Sequence, residues 1–288
     1  MPMSADGDAP LREIHYRSLA PAQGQFPGAH RSPRGDSGFE FRGHAPLHEA
    51  PDARRLDLRA SLRDPLGRWL VRVHSQRKSM PVVALVDLSA SMGFEGAVRK
   101  LDVAADLVAS LAWSAGRNGD AFGFVGCDDA VRHDLLLPPT RARGAGQPIA
   151  AALRRFTATG HSCRGLLQAA AHLGRQRALV FLVSDFHLPL REVDAVLDSL
   201  AAHEVVPVVL WSPQEFGLEA RRGLLQVVDP ETGRRRVVWW RPALRERWAA
   251  AAAQRRAALG ECFVRHARKP LYVEGGFDAD AASRHFLT

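Results

Sequence analysis

No apolar run in this 288-residue chain approaches the roughly 18 residues that a membrane-spanning helix needs. Its opening residues lack the apolar block of a secretory signal, so residence in the cytoplasm is expected. Cysteine is scarce: Cys127, Cys163 and Cys262 are odd in number and unevenly spaced. That excludes a disulfide framework and a cysteine metal motif, and it fits reduced thiols. There is no Gly-x-x-x-x-Gly-Lys-Ser/Thr loop, which removes the common nucleotide-phosphate cradle. No internal repeat is visible. Aromatics make up 7% of the chain and are sparse among its arginines, so a stacking platform for single-stranded nucleic acid is not supported.

What is present is a substantial apolar fraction, 46%, enough for a sizeable core, and a formal charge of +8. The charge is uneven. Residues 219–269 hold 13 Lys+Arg against 5 Asp+Glu, nearly all of the basic residues being arginine. Such a surplus describes solvated helix faces, a surface for an acidic partner or, third, a nucleic-acid footprint. Residues 1–37 are rich in Ala, Pro, Gly and Ser and read as a flexible arm. Residues 38–80 read as an extended lead-in, 81–215 as the core, and 216–288 as a hairpin and helices packed on it.

Within the core, short apolar runs alternate with segments of helical spacing. Val82–Val86, Ala121–Gly126, Ala178–Val183 and Val205–Leu210 read as buried strands, with Val131–Leu137 as an edge strand. Leu101, Ala104, Ala105, Val108, Leu111 and Ala112 recur at helical intervals across 100–117. Helices are also expected at 147–156, 164–173 and 190–203. Downstream, 223–229 and 234–240 pair as a hairpin across Pro230-Glu231-Thr232-Gly233. Pro242 then opens a long helix to about 268, followed by a strand at 271–273 and a helix at 278–286. The alternation predicts a doubly wound, mostly parallel α/β sheet.

Two of these runs end on an aspartate, at Asp87 and Asp185. In an open α/β sheet, ligands bind beyond the carboxyl ends of the strands, so both carboxylates reach one edge. Ser89 and Ser91 follow Asp87 at alternate positions, and Ser162 lies in a loop between the two strands. Hard oxygen donors of this kind suit Mg²⁺, with Mn²⁺ or Ca²⁺ as alternatives, rather than zinc. A helix cap without metal is the plainer reading of Asp-x-Ser-x-Ser. His161 and His187 stand beside Ser162 and Asp185, either rimming the site or serving as ordinary loop residues. Trp239, Trp240 and Trp248 read either as a recognition cluster or as packing of the hairpin on the long helix.

Asp87-x-Ser89-x-Ser91 at a strand end resembles the metal-ion-dependent adhesion site of von Willebrand factor A domains. The resemblance implies a metal held by that loop, by a hydroxyl from a second loop and by an aspartate from a third. Val183-Ser184-Asp185 matches the third. In the second, Gly160-His161-Ser162 stands where Gly-x-Thr is usual, so Ser162 inherits the role with a substituted residue. Gly38-Phe39-Glu40-Phe41, Asp52-Ala53-Arg54-Arg55-Leu56-Asp57, Trp69–Val73 and Val228-Asp229-Pro230-Glu231-Thr232-Gly233 are similar to a bacterial family of MoxR-associated A-domain proteins that includes the MxaS type. This implies a non-catalytic, metal-dependent interaction module. Its partners would be a MoxR-like AAA+ ATPase and a client protein that offers an acidic residue. Its role would lie in maturation or remodelling of an enzyme complex, including metal insertion.

A hydrolase is the rival reading. Gly160-His161-Ser162-Cys163-Arg164 approaches the Gly-x-Ser-x-Gly nucleophile elbow, and Ser162, Asp185 and a later His203 or His266 follow triad order. Arg164 stands where the strained elbow needs glycine. The Asp87 loop also lacks the second carboxylate of an Asp-x-Asp phosphatase. No catalytic residue is assigned.

Overall fold

The computed structural model describes residues 12–17, 27–31, 40–75, 77–162, 164–216 and 223–287. Most of the expected N-terminal arm, and Cys163, lie outside them. The chain divides into two compact units, Ser18–Met80 and Met1–Arg17 with Pro81–Thr288.

In the smaller unit, β1 (Pro27–Arg31) pairs antiparallel with β4 (Arg77–Lys78), and β2 (Glu40–Pro46) with β3 (Leu70–Ser75). Asp57 caps the short helix α1 (Leu58–Ser61) by accepting from the Ala60 N–H at 3.0 Å. The same carboxylate takes Arg72 at 2.7 Å and His44 at 3.1 Å, tying the cap to both strands of the β2–β3 pair. The lead-in is thus a unit with its own pairing.

The larger unit is built on a six-stranded sheet in the order β12-β9-β8-β5-β6-β7. Its strands are β5 (Pro81–Asp87), β6 (Ala121–Cys127), β7 (Val131–Thr140), β8 (Leu179–Ser184), β9 (Glu204–Trp211) and β12 (Leu271–Glu274). All neighbours are parallel except β6 and β7. β5, β6, β8 and β9 are buried along their whole length, which is why they read as unbroken apolar runs. Alternate residues such as Val83 and Leu85 join a core with Leu166 of α4 (Gly165–Ala169), Val193 and Leu197 of α5 (Leu190–Ser199), and Leu259 and Phe263 of α7 (Pro242–Arg265). α2 (Lys100–Asn118) is the long helix between β5 and β6. It ends at Gly119, whose φ of 73° is the left-handed stop that glycine takes without penalty. α3 (Gly146–Arg155) packs against α2.

Three expectations are corrected. Residues 12–17 are not a loose arm. Ile14 is buried with its N–H on the Ser114 hydroxyl at 2.8 Å, and Tyr16 donates to buried Asp120 at 2.6 Å. The segment beyond 215 is not merely laid on the core: β12 is the sheet's own edge strand, beside β9. The helix expected to reach His203 stops at Ser199, because the chain turns there and buried His203 accepts the Ala178 N–H at 3.2 Å. The remaining elements of this unit are α6 (Pro213–Phe216), the hairpin β10 (Gly223–Val228) and β11 (Arg235–Trp240), and α8 (Ala279–His285). Among the described residues β10 and β11 pair only with each other. No helix among the described residues is long and apolar enough to cross a membrane.

Candidate metal centre

The register of β5 against β8 sets Val86 beside Val183, so Asp87 and Asp185 emerge at the same edge of the sheet. Both are fully buried. Asp87 is tied at each oxygen: Oδ1 accepts the Ser89 N–H at 2.9 Å and Oδ2 accepts the Ser184 hydroxyl at 2.6 Å. Ser184 Oγ in turn accepts the Phe186 N–H at 2.9 Å. Phe186 is a buried non-glycine residue at φ 52°, a backbone strain held in place by its packing on Phe263. The tight turn after β8 thereby fixes both aspartates.

Past Asp87 the chain enters a 3-10 turn, Ala90–Gly93, and the Ser89 and Ser91 hydroxyls lie 3.3 Å apart. The second loop comes to the same place. The Gly160 carbonyl accepts the Ala90 N–H at 2.8 Å, and Gly160 bridges Ser89. A Cβ at Gly160 would stand 2.6 Å from that of Asp128, so only glycine brings the loop this close. The Ser162 hydroxyl itself donates to Asp129 Oδ1 at 2.6 Å. The expected ligand is therefore bound to an aspartate of the neighbouring loop, and Asp129's carboxyl is held below its ordinary range chiefly by that bond.

Asp185 faces Lys100 at the start of α2. Lys100 Nζ lies 2.7 Å from Asp185 Oδ2, contacts Glu215 Oε1 and is 3.3 Å from the Ser91 carbonyl. Lys100 is 3% exposed. Burial works against ionisation of Asp185, but the ammonium and His187 outweigh it and hold the carboxyl below its ordinary value. Among the described residues Asp87 has no such cation. Burial first, and then the charge of Asp185, push its carboxyl upward. One lysine thus serves Asp185 and Glu215, and Asp87 stands beside them without a positive charge of its own.

The two histidines part company. His187 stacks on Trp211, its ring nitrogen 3.7 Å from Glu215, and Asp185, His187 and Glu215 present ligand atoms within 4.8 Å of one another. His161 Nδ1 makes a 2.9 Å hydrogen bond with the carbonyl of Glu231, in the turn of the β10–β11 hairpin. The Glu231 side chain reaches the loop itself: Oε1 accepts the Ser91 N–H at 3.1 Å. Its Oε2 is buried and has no hydrogen-bond partner among the described residues. Lys100 and Glu215 were not foreseen from the sequence, and Ser184 and Glu231 stood there only as members of motifs, without a role at the site.

The donors present fit a hard divalent cation. They are oxygens, two of them serine hydroxyls, beside a buried carboxylate with no cation and an orphaned carboxylate oxygen. A hydrolytic triad is not assembled. Ser162 is on Asp129, Asp185 on Lys100, and His203 on the Ala178 N–H, while His266 pairs with Asp194 at 3.0 Å. Of the tryptophans, Trp240 is buried and packs edge-on against Trp248 at 5.8 Å, whereas Trp239 is 60% exposed.

An uncharacterized protein in the moxR 3′ region of Paracoccus denitrificans is 40% identical over 108 residues, covering 35% of this chain and 96% of that protein. Among solved structures, the chain is similar to the conserved hypothetical protein BatB from Bacteroides thetaiotaomicron. That likeness has a TM-score of 0.41 and 13% identity, over 73% of this chain and 98% of that one. It is similar also to the SpRpn10 VWA domain, with a TM-score of 0.41 and 13% identity over 72% and 93% of the two chains. The match that covers most of the sheet and its edge loops is to a sequence family spanning residues 49–258, and the chain belongs to that family, described as protein of unknown function DUF58.

Proposed function

We propose that the chain is a non-catalytic interaction module whose docking site is a divalent cation at the Asp87–Ser91 loop. The observation that carries this reading is Asp87. It is a buried carboxylate at a strand end, aimed by Ser184 and the Ser89 amide, with two hydroxyls at the following alternate positions and no cation of its own. Asp87, Ser89 and Ser91 would hold the ion, and Asp185 would act at longer range, because Lys100 already occupies its Oδ2 and the His187 N–H its Oδ1. Mg²⁺ takes near-octahedral oxygen coordination and keeps several waters, one of which an acidic side chain can replace. That chemistry recruits a partner through Coulomb attraction in a partly dehydrated interface.

A MoxR-like AAA+ ATPase is the partner proposed here, with a client protein of the same assembly. The support is the relative in a moxR 3′ region. The role is maturation or remodelling of an enzyme complex in the cytoplasm, metal insertion included. The arginine surplus in residues 219–269 would steer an acidic partner surface at low salt. Co-purification of the chain with a MoxR-like ATPase from the same organism tests the reading. Retention in Mg²⁺ and release by EDTA or by Asp87→Asn is expected. Retention that survives both would place the interface elsewhere.

A further inference from the structure

We propose that Glu231 is an internal ligand of the metal centre, and that the β10–β11 hairpin is a latch which an acidic partner must displace. The inference rests on the cation reading above and deepens it. Three observations meet at this residue. First, its carboxylate already sits on the Asp87–Ser91 loop, through the Ser91 N–H at 3.1 Å. Second, its other oxygen is buried without a donor. A buried carboxylate oxygen left unpaired costs free energy that a hydroxyl or an amide normally offsets, and a cation would do so here. Third, the turn is built to present it. Asp229 accepts the Glu231 N–H at 3.1 Å and the Thr232 hydroxyl at 2.6 Å, Gly233 closes the turn at φ 65°, and His161 holds the Glu231 carbonyl from the second loop.

The hairpin that carries Glu231 is suited to leave. It adds no strand to the main sheet, and Leu224, Val228, Val237 and Trp239 are between 49% and 68% exposed. A two-stranded hairpin has little stability of its own, so its position depends on a few anchoring contacts. A partner carboxylate that takes the Glu231 place would release the turn, and those apolar residues, already exposed, would offer added contact surface. The site is then self-occupied at rest and selective for partners able to outcompete a tethered glutamate.

Titration calorimetry with MnCl₂ on the full chain tests this, alongside hydrogen exchange of the hairpin amides with and without the metal. Wild type, Glu231→Gln and Asp87→Asn are compared, and Glu231→Asp checks that a shortened carboxylate restores part of the effect in an intact turn. The expected result is Mn²⁺ affinity about tenfold weaker in Glu231→Gln, with metal-induced protection of residues 223–240 in wild type only. Equal affinity and equal protection in wild type and Glu231→Gln would overturn the internal ligand and leave the metal centre standing. Failure of the wild type to bind Mn²⁺ would remove both.

Discussion

Replacing Lys100 with methionine should be among the most damaging single changes available at this sheet edge. Nζ lies 2.7 Å from Asp185 Oδ2 and also touches Glu215. Lys100 and Asp185 are 3% and 0% exposed and Glu215 11%, so little water is at hand to replace the ammonium. At an effective dielectric near 20, a unit pair at this separation is worth about 6 kcal/mol before desolvation is counted. Returning lysine to water offsets part of that. Removing one partner of a buried pair costs roughly 3–5 kcal/mol, because the other charge is stranded. That is a large share of the roughly 5–15 kcal/mol that holds a domain together.

Urea titration followed by circular dichroism, in EDTA, measures the loss directly. Asp185→Asn in the Lys100→Met background should recover about 1–2 kcal/mol of it, since the stranded charge is removed as well. Added Mg²⁺ should also stabilise Lys100→Met, through binding to the folded state alone. A Lys100→Met protein within about 1 kcal/mol of wild type would refute the reasoning. So would a double variant whose loss is the sum of the two single losses.

Other outcomes follow from the same geometry. Asp87→Asn keeps a side chain able to accept the Ser184 hydroxyl, so it should stay folded while losing the thermal stabilisation that Mg²⁺ gives the wild type, as scanning fluorimetry would show. Ser162→Ala should change Mn²⁺ affinity less than about threefold by calorimetry, because that hydroxyl is engaged with Asp129; loss of binding would restore Ser162 as a ligand. His203 is buried with its ring as acceptor, and burial followed by Arg177 lowers its pKa from the ordinary 6.5. Its contribution is therefore complete above pH 6.5 and falls as pH drops below it, where only the unfolded chain takes the proton, so His203→Gln should flatten the stability curve between about pH 7 and 5. Burial and the adjacent Asp194 push the Cys262 thiol up to about 11, so peptide mapping after iodoacetamide at pH 8 should find it far slower than an exposed cysteine.

The sheet was legible because its strands are buried on both faces. β5, β8 and β9 admit almost no polar residue between their ends, so each reads as a continuous apolar block with a sharp limit. The hairpin announced itself through Asp229-Pro230-Glu231-Thr232-Gly233, a turn whose chemistry is local. What failed was of another kind. Residues 12–17 carry no periodicity of their own, and their place depends on Ser114 and Asp120, about a hundred positions away. The end of α5 depended on whether His203 would face solvent or the Ala178 amide, and a single polar residue does not reveal that in one dimension.

The site divides along the same line. Asp87, Ser89 and Ser91 are neighbours in sequence, and Asp185 ends a strand adjacent to theirs, so spacing and sheet topology were enough to join them. Lys100, Glu215 and Glu231 come to this sheet edge from a helix start, the short helix α6 and a distant hairpin. Lys100 left one trace: it precedes Leu101 and Ala104 on the apolar stripe of α2, where a charged residue is out of place unless a buried partner waits for it. Asp185 is that partner. A lysine on a buried stripe and a strand-end aspartate are each ambiguous alone. Paired, they show that one of the two carboxylates already has its cation, which leaves Asp87 and the orphaned oxygen of Glu231 as the place where a second one would act.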